Sequence, residues 1–408
     1  MDTRQRANGF TPVGRLGLIA LPSCRELGSD IDRHLVAERE RLFQLVGPQG
    51  LPNGVQPTYL LQALTPRFQS GDAKGVLCES VRGKDIYILA DVGNYALTYS
   101  MFGHTSHMSP DEHFQDIKRI ISAAAGHEAR VTVIMPLLYS GRQHRRTGRE
   151  SLDCAMALQE LERMGVRTVI TFEVHDPRVA NAVPLMGFES LSPSPIILEQ
   201  FLETEPGLRL DHEHLIVISP DTGGLERAVS CATALGVEVG AFYKRRNLTR
   251  LVNGRYPVAE HVYMGAPIQG RDCLVVDDMI SSGDSVFTIV PELEARGAQR
   301  IFVAVSFALF TEGIGKFDEL CRADRIQKLY ATNLTYMLPE LRAAPWFHRV
   351  DMSAMLAELI NRLNYDQSIS ELFDVAPRIR ALVERHRGGL GPLFEGQREA
   401  HRTEQGRR

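Results

Sequence analysis

The chain has 408 residues, 44% of them hydrophobic, with 46 basic and 50 acidic side chains and a formal net charge of −4. That length suits two domains with full apolar cores, and the near-neutral balance gives no global field for nucleic acid or an anionic membrane surface. Cys24, Cys78, Cys154, Cys231, Cys273 and Cys321 include no Cys-x-x-Cys pair and read as reduced core thiols. The first residues lack an apolar leader, and no apolar run approaches the roughly 18 residues of a spanning helix, so a cytoplasmic protein without membrane contact is expected.

Short apolar runs alternate with amphipathic stretches along the chain, as in βαβ units. Strands are predicted at 16–21, 85–90, 130–135, 168–172, 215–218, 237–242, 273–276 and 300–305. Residues 47–57, rich in Gly and Pro, read as a surface loop. A helix is predicted over 111–125, with Phe114, Ile117, Ile120, Ile121 and Ala124 on one face. Further helices, over 152–164, 225–235 and 285–296, stop at Gly165, Gly236 and Gly297, the usual residue just past a last turn. Pro291 is expected to kink the last of them. The pattern occurs twice, with a seam at Ser192-Pro193-Ser194-Pro195. Two domains, 14–193 and 194–380, are therefore expected, followed by a disordered polar tail over 385–408.

The chemistry concentrates after the apolar run 273–276. Asp277 and Asp278 follow it, then Ser281-Ser282-Gly283-Asp284-Ser285 opens a helix. A turn of this kind presents N–H groups and hydroxyls to a phosphate at the carboxyl edge of a parallel sheet. The acid pair suits a ribose diol or a hydrated Mg²⁺. Ser219-Pro220-Asp221-Thr222-Gly223-Gly224 makes a similar strand-to-helix turn, where Asp221 faces a metal or sugar hydroxyl, or simply caps the helix. His175 follows the strand 168–172; imidazole can ligate a cation, although Mg²⁺ prefers oxygen. Two basic clusters, Arg142-Gln143-His144-Arg145-Arg146 and Lys244-Arg245-Arg246, each follow a strand and suit a polyphosphate. Neither is interleaved with stacking aromatics, so nucleic acid is not the expected partner. His104, His107, His212 and His214 read as surface residues.

Seven segments in order resemble the ribose-phosphate pyrophosphokinase (phosphoribosyl pyrophosphate synthetase) family. They are 68–72, 80–85, Arg142-Gln143, Phe172-Glu173-Val174-His175, 219–224, Lys244-Arg245-Arg246 and the acid-rich loop at 277–285, within about residues 15–375. The resemblance implies an α/β fold of two tandem phosphoribosyltransferase-type domains with mostly parallel sheets. It implies Mg²⁺, ATP and ribose 5-phosphate, transfer of the β,γ-diphosphoryl group to the ribose 1-hydroxyl, and a homo-oligomer. By the same resemblance Phe68, Ser70, Asp72, Arg142 and Gln143 contact ATP, with Phe68 stacked on adenine. Lys244 and Arg246 sit on a mobile catalytic loop, His175 and Asp221 serve the metal, and Asp277, Asp278, Ser281, Ser282, Gly283 and Ser285 hold the ribose phosphate.

The chain departs from the family pattern in several places. The third acid of the ribose-phosphate loop is Ser281, and Asp284 brings a negative charge close to the expected 5-phosphate, where it either opposes the anion or caps the next helix. His144 replaces an aspartate, and Ser70 and Asp72 replace asparagine and glutamate. A divergent enzyme is the leading expectation. A non-catalytic regulatory homologue and a phosphoribosyltransferase are the alternatives.

Overall fold

The computed structural model describes residues 11–50, 54–146, 148–246, 258–373 and 376–387. The chain divides into two compact units. The first holds the residues up to Pro193 together with Asn333–Met337 and Asp351–Phe373; the second holds Ser194–Thr332, Leu338–Val350 and the residues from Asp374 onward.

The strands of the first unit are β1 (Arg15–Ala20), β2 (Ala63–Leu64), β3 (Val76–Leu77), β4 (Lys84–Leu89), β5 (Thr98–Met101), β6 (His104–His107), β7 (Arg130–Ile134), β8 (Thr168–Phe172) and β9 (Gly187–Leu191). Five of them form a parallel sheet in the order β1-β4-β7-β8-β9, while β2/β3 and β5/β6 are separate antiparallel pairs. The helices are α1 (Arg25–Gly50), α2 (Pro110–Ala124) and α3 (Asp153–Arg163). The periodic face of α2 buries Phe114, Ile117, Ile120 and Ile121 against Ile86, Ile88, Val131 and Val133. A reciprocal cap fixes its start: Ser109 Oγ accepts from the Glu112 N–H at 3.3 Å, and the Glu112 carboxylate accepts from the Ser109 N–H at 2.8 Å.

The second unit contains α4 (Ser194–Thr204), β10 (Leu215–Ser219), α5 (Leu225–Leu235), β11 (Glu238–Arg246), β12 (Val258–Gly265), β13 (Asp272–Ile280), α6 (Asp284–Ala295), β14 (Arg300–Ala308), α7 (Gly315–Arg322), β15 (Lys328–Thr332), α8 (Pro339–Ala343) and β16 (Phe347–Val350). Its sheet runs β12-β11-β10-β13-β14-β15-β16, with only the β11/β12 pair antiparallel. The fold class expected from the sequence is therefore what the chain adopts.

The chain then returns to the first unit. α9 (Ser353–Asn364) packs on α1, and α10 (Ser370–Phe373) follows; α11 (Ala376–Arg387) belongs to the second unit. Residues 333–337 and 351–373, read as part of one block over 194–380, thus group with the first unit. Asp91, just past β4, accepts from Thr335 Oγ1 at 2.9 Å and from the Tyr336 N–H at 2.7 Å, which ties the short segment in place. Arg385 to Arg387 are helical, and the rest of the predicted tail lies outside the described residues.

Some local expectations change. α1 runs to Gly50, broken at Gly47 (φ 68°, ψ −172°), so the first residues of the predicted loop belong to it. Pro291, where a kink is expected, lies inside the single helix α6. β13 does not stop at Val276 but runs on through Asp277 and Asp278 to Ile280, pairing Asp277 with Val305 of β14.

Candidate phosphate-binding site

β10, β13 and β14 are parallel neighbours, so their carboxyl ends lie together on one edge of the second sheet. Asp277 and Asp278 are half-buried near the end of β13. The Asp278 N–H donates to Asp277 Oδ1 at 2.9 Å, and Arg227 Nη1 of α5 lies 3.8 Å from the same oxygen. Burial and the adjacent Asp278 charge push the Asp277 carboxyl up to about 7; the N–H bond and Arg227 oppose the shift without cancelling it.

The Ser281-Ser282-Gly283 turn then opens α6. Gly283 has φ 90°, a conformation glycine adopts without strain, and a Cβ there would lie 2.7 Å from the Phe287 ring. Its carbonyl accepts the Phe287 N–H at 3.0 Å, and the Asp284 N–H donates to Ser282 Oγ at 3.4 Å. Asp284 is an exposed residue of the first helical turn, where a negative charge favours the helix; Gly283 is the cap.

The second turn closes the same corner. Ser219 Oγ donates to the Asp221 carbonyl at 2.7 Å, and Asp221 Oδ1 accepts from the N–H groups of Gly223 at 2.9 Å and Gly224 at 3.3 Å. A Cβ on Gly224 would sit 3.0 Å from Ser219 Oγ, 3.4 Å from Arg227 Nη1 and 3.9 Å from Asp277 Oδ1. The tight contact is with Ser219 of the same turn, and Asp277 of the neighbouring strand lies at ordinary contact distance. Ser219 and Gly224 belong to the turn motif read from the sequence, whereas Arg227 was not singled out there. Arg227's signal is a cation in the first turn of α5, where the helix end itself is positive and a base is disfavoured.

Lys244 and Arg246 end β11, with Lys244 opposite His261 and an irregular register between Arg245 and Arg246. Their side chains and residues 247–257, where the mobile loop is expected, lie outside the described part.

The remaining candidates belong to the first unit. Arg142 and Gln143 follow β7; Gln143 Nε2 donates to the Ser151 carbonyl at 2.7 Å and shapes that loop. His175 follows β8, its ring centroid 5.2 Å from that of His144. His144 Nε2 in turn lies 3.5 Å from Asp176 Oδ2, so the residue replacing the family aspartate links the Arg142 loop to the His175 segment. Phe68 to Asp72 form the tip of a turn, closed by the Phe68 N–H to the Asp72 carbonyl at 2.7 Å. Phe68 is 51% exposed and Ser70 Oγ donates to Asp72 Oδ2 at 2.9 Å. Phe102, 75% exposed, joins this tip by donating its N–H to the Gln69 carbonyl at 2.9 Å.

Mg²⁺ takes oxygen ligands, and the carboxylates of Asp221, Asp277 and Asp278 provide that donor type. The raised Asp277 carboxyl marks the acid pair as a place where a cation would relieve repulsion. His175 offers nitrogen and fits Mg²⁺ less well. Asp211, Glu213 and His214 also group their ligand atoms within 4.8 Å, but they precede β10, on the opposite edge of the sheet from the phosphate turns.

Two tandem, mostly parallel α/β sheets, the second with acid-rich and serine-rich turns at its carboxyl edge, define a paired phosphoribosyltransferase-type protein. The N-terminal domain of ribose phosphate pyrophosphokinase matches residues 16–165, and the phosphoribosyl transferase domain matches residues 198–329. The chain is 27% identical over 316 residues to a ribose-phosphate pyrophosphokinase of Pasteurella multocida, covering 76% of this chain and 90% of that protein. The same comparison gives 26% over 317 residues for the Vibrio cholerae protein of that name (76% and 91%) and 28% over 316 for that of Shewanella oneidensis (76% and 90%). The crystal structure of phosphoribosylpyrophosphate synthetase from Mycobacterium smegmatis shares the fold, with a TM-score of 0.68 at 18% identity over 86% of this chain and 99% of that one. The chain belongs to the ribose-phosphate pyrophosphokinase family. No helix among the described residues is long and apolar enough to cross a membrane.

Proposed function

We propose that this protein transfers the β,γ-diphosphoryl group of ATP to the 1-hydroxyl of ribose 5-phosphate. The hydroxyl oxygen bonds to Pβ and gives up its proton to solvent, the bridging Pα–O–Pβ bond breaks on the β side, and AMP leaves with the bridging oxygen. The observation that carries this reading is the carboxyl edge of the second sheet, where Gly224 of the Asp221 turn lies beside Asp277 and the Ser281–Ser285 turn follows Asp277-Asp278 on the same strand. N–H groups at the start of α6 and the hydroxyls of Ser281, Ser282 and Ser285 suit the 5-phosphate. Asp277 and Asp278 suit the ribose hydroxyls as acceptors.

Lys244 and Arg246 are assigned to the transferred diphosphoryl group, whose charge they neutralise as it moves. Phe68, Ser70, Asp72, Arg142 and Gln143 are assigned to ATP, Phe68 as an exposed stacking face. Mg²⁺, held by carboxylate oxygens of Asp221 and the acid pair, would supply additional charge neutralisation; the metal role of His175, in the first unit, rests on the family resemblance alone. The decisive assay is nucleotide analysis with MgATP, with and without ribose 5-phosphate. AMP forming only with the sugar is the expected result, and no AMP from protein that binds ATP would end this reading.

Ser281 and Asp284 favour one second reading, a homologue that binds these ligands without turnover. Under the enzyme reading, restoring Ser281→Asp together with Asp284→Gly leaves turnover the same or lowers it. A gain of a hundredfold or more, about 3 kcal/mol of barrier, would instead identify a decayed site.

A further inference from the structure

We infer that the first unit binds a small phosphoryl dianion at the amino-terminal edge of its sheet, around the buried guanidinium of Arg39. Arg39, on α1, is only 2% exposed. Its Nε donates to Asn361 Oδ1 at 3.1 Å and its Nη2 to Asn364 Oδ1 at 2.7 Å. Its Cζ lies 4.9 Å from the Tyr59 ring centroid and 5.1 Å from that of Tyr365. Every one of these partners is neutral. Among the described residues Nη1 has no hydrogen-bond partner and Arg39 no carboxylate.

The neighbouring acids are committed elsewhere. Asp85 accepts from Arg130 Nε at 2.8 Å and Nη2 at 2.7 Å, from Tyr87 at 2.9 Å and from Asn364 Nδ2 at 2.9 Å. Asp32 accepts from Thr58 Oγ1 and the Tyr59 N–H, both at 2.7 Å. A desolvated cation held only by amides and rings is an unusual arrangement, because burying a charge ordinarily demands a counter-ion.

Arg39 borders a cavity of about 260 Å³ that Arg15 and Lys84 also line. These two residues open β1 and β4 and are direct partners across the parallel pair. The Lys84 stem crosses Gly17, where a Cβ would lie 3.5 Å from Lys84 Cδ and 2.5 Å from Leu61, so glycine keeps this wall clear. Segment 59–61 forms the facing wall, its Tyr59 carbonyl accepting the Leu18 N–H at 2.8 Å. Lys84 reaches only the exposed Glu79, at 3.3 Å. Three cations against one acid leave a charge that a dianion balances. The volume lies below the roughly 300–1,000 Å³ of sites for drug-sized ligands, which favours a phosphate bearing a short carbon chain or none. β7 and β8 run parallel to β1 and β4, so the Arg142 and His175 loops lie at the carboxyl edge, away from this cavity.

Calorimetric titration of the full chain with orthophosphate and, separately, with glycerol 3-phosphate tests this. At least one is expected to bind. Arg15→Gln with Lys84→Gln, which removes two cations at the cavity mouth, is expected to weaken binding by about tenfold or more. Arg39→Met is expected to abolish the rise in melting temperature that the ligand gives the parent. A crystal soaked in tungstate should show anomalous density beside Arg39 Nη1. No binding of either anion, an unchanged isotherm in the double variant, or density only at the Ser281–Ser285 turn would overturn the inference. Both ligands binding equally would identify the phosphoryl group alone as the recognised element; binding of glycerol 3-phosphate only would add its carbon chain.

Discussion

At the residue scale, the two turns of the second unit work through backbone geometry as much as through side chains. Gly224 and Gly283 are where a methyl group would collide, with Ser219 Oγ and with Phe287. Lys244→Ala is expected to lower turnover by about a hundredfold or more, the usual effect of losing one donor to a developing charge, while the circular dichroism spectrum stays unchanged. Retained activity would remove Lys244 from the mechanism. The acid pair was visible in the sequence because two carboxylates directly after a four-residue apolar run have few other uses. Arg227 was not visible, because its value depends on Asp277 of another element, 3.8 Å away. His144 was read only as a departure from a pattern; its place between Gly141, Asp176 and His175 needs the folded loops.

At the element scale, the end of β4 is joined to residues 333–337 through Asp91, which is fully buried. Burial pushes its carboxyl up to about 6 despite donors from Tyr336, Thr335 and Gly93. A carboxyl raised in the folded state holds its proton there longer than in the unfolded chain. Stability therefore falls as pH rises from about 4 to about 6, by up to roughly 3 kcal/mol, and is level above that range. Urea midpoints measured across this range in wild type and Asp91→Asn should differ in slope, the variant lacking this term. Parallel slopes would mean that Asp91 titrates normally.

The same scale shows why some strands were legible. β4, β7, β8 and β10 are buried nearly throughout, so their apolar runs stand out. β9, β12 and β16 are sheet edges, and the half-exposed pattern of β9 carries Glu189 and Ser190. α1 escaped because its sequence is densely charged and its break at Gly47 resembles a loop. The length of β13 was underestimated because acids ordinarily end a central strand, and here Asp277 and Asp278 lie inside one.

At the scale of the whole molecule, the first unit is discontinuous in sequence. α9 docks on α1 and buries Leu356, Leu359 and Ile360. Three such side chains represent about 5–9 kcal/mol of apolar burial, comparable with the 5–15 kcal/mol that holds a typical domain together. A fragment comprising residues 11–193 is therefore expected to melt without a cooperative transition. Supplying 351–373 on a flexible linker should restore one. A sharp transition in the short fragment would show that α9 is dispensable.

That return of the chain also sets a schedule during synthesis. Translation adds about 5–20 residues per second, so residues 351–373 follow the first sheet's last strand by roughly 10–40 s. Throughout that interval the α1 surface that α9 will cover is exposed on the nascent chain, while the second unit is still being made. The first domain to be synthesised thus cannot finish folding until the second unit's sheet has also been made. The exposed α1 face is the surface a ribosome-associated chaperone would meet.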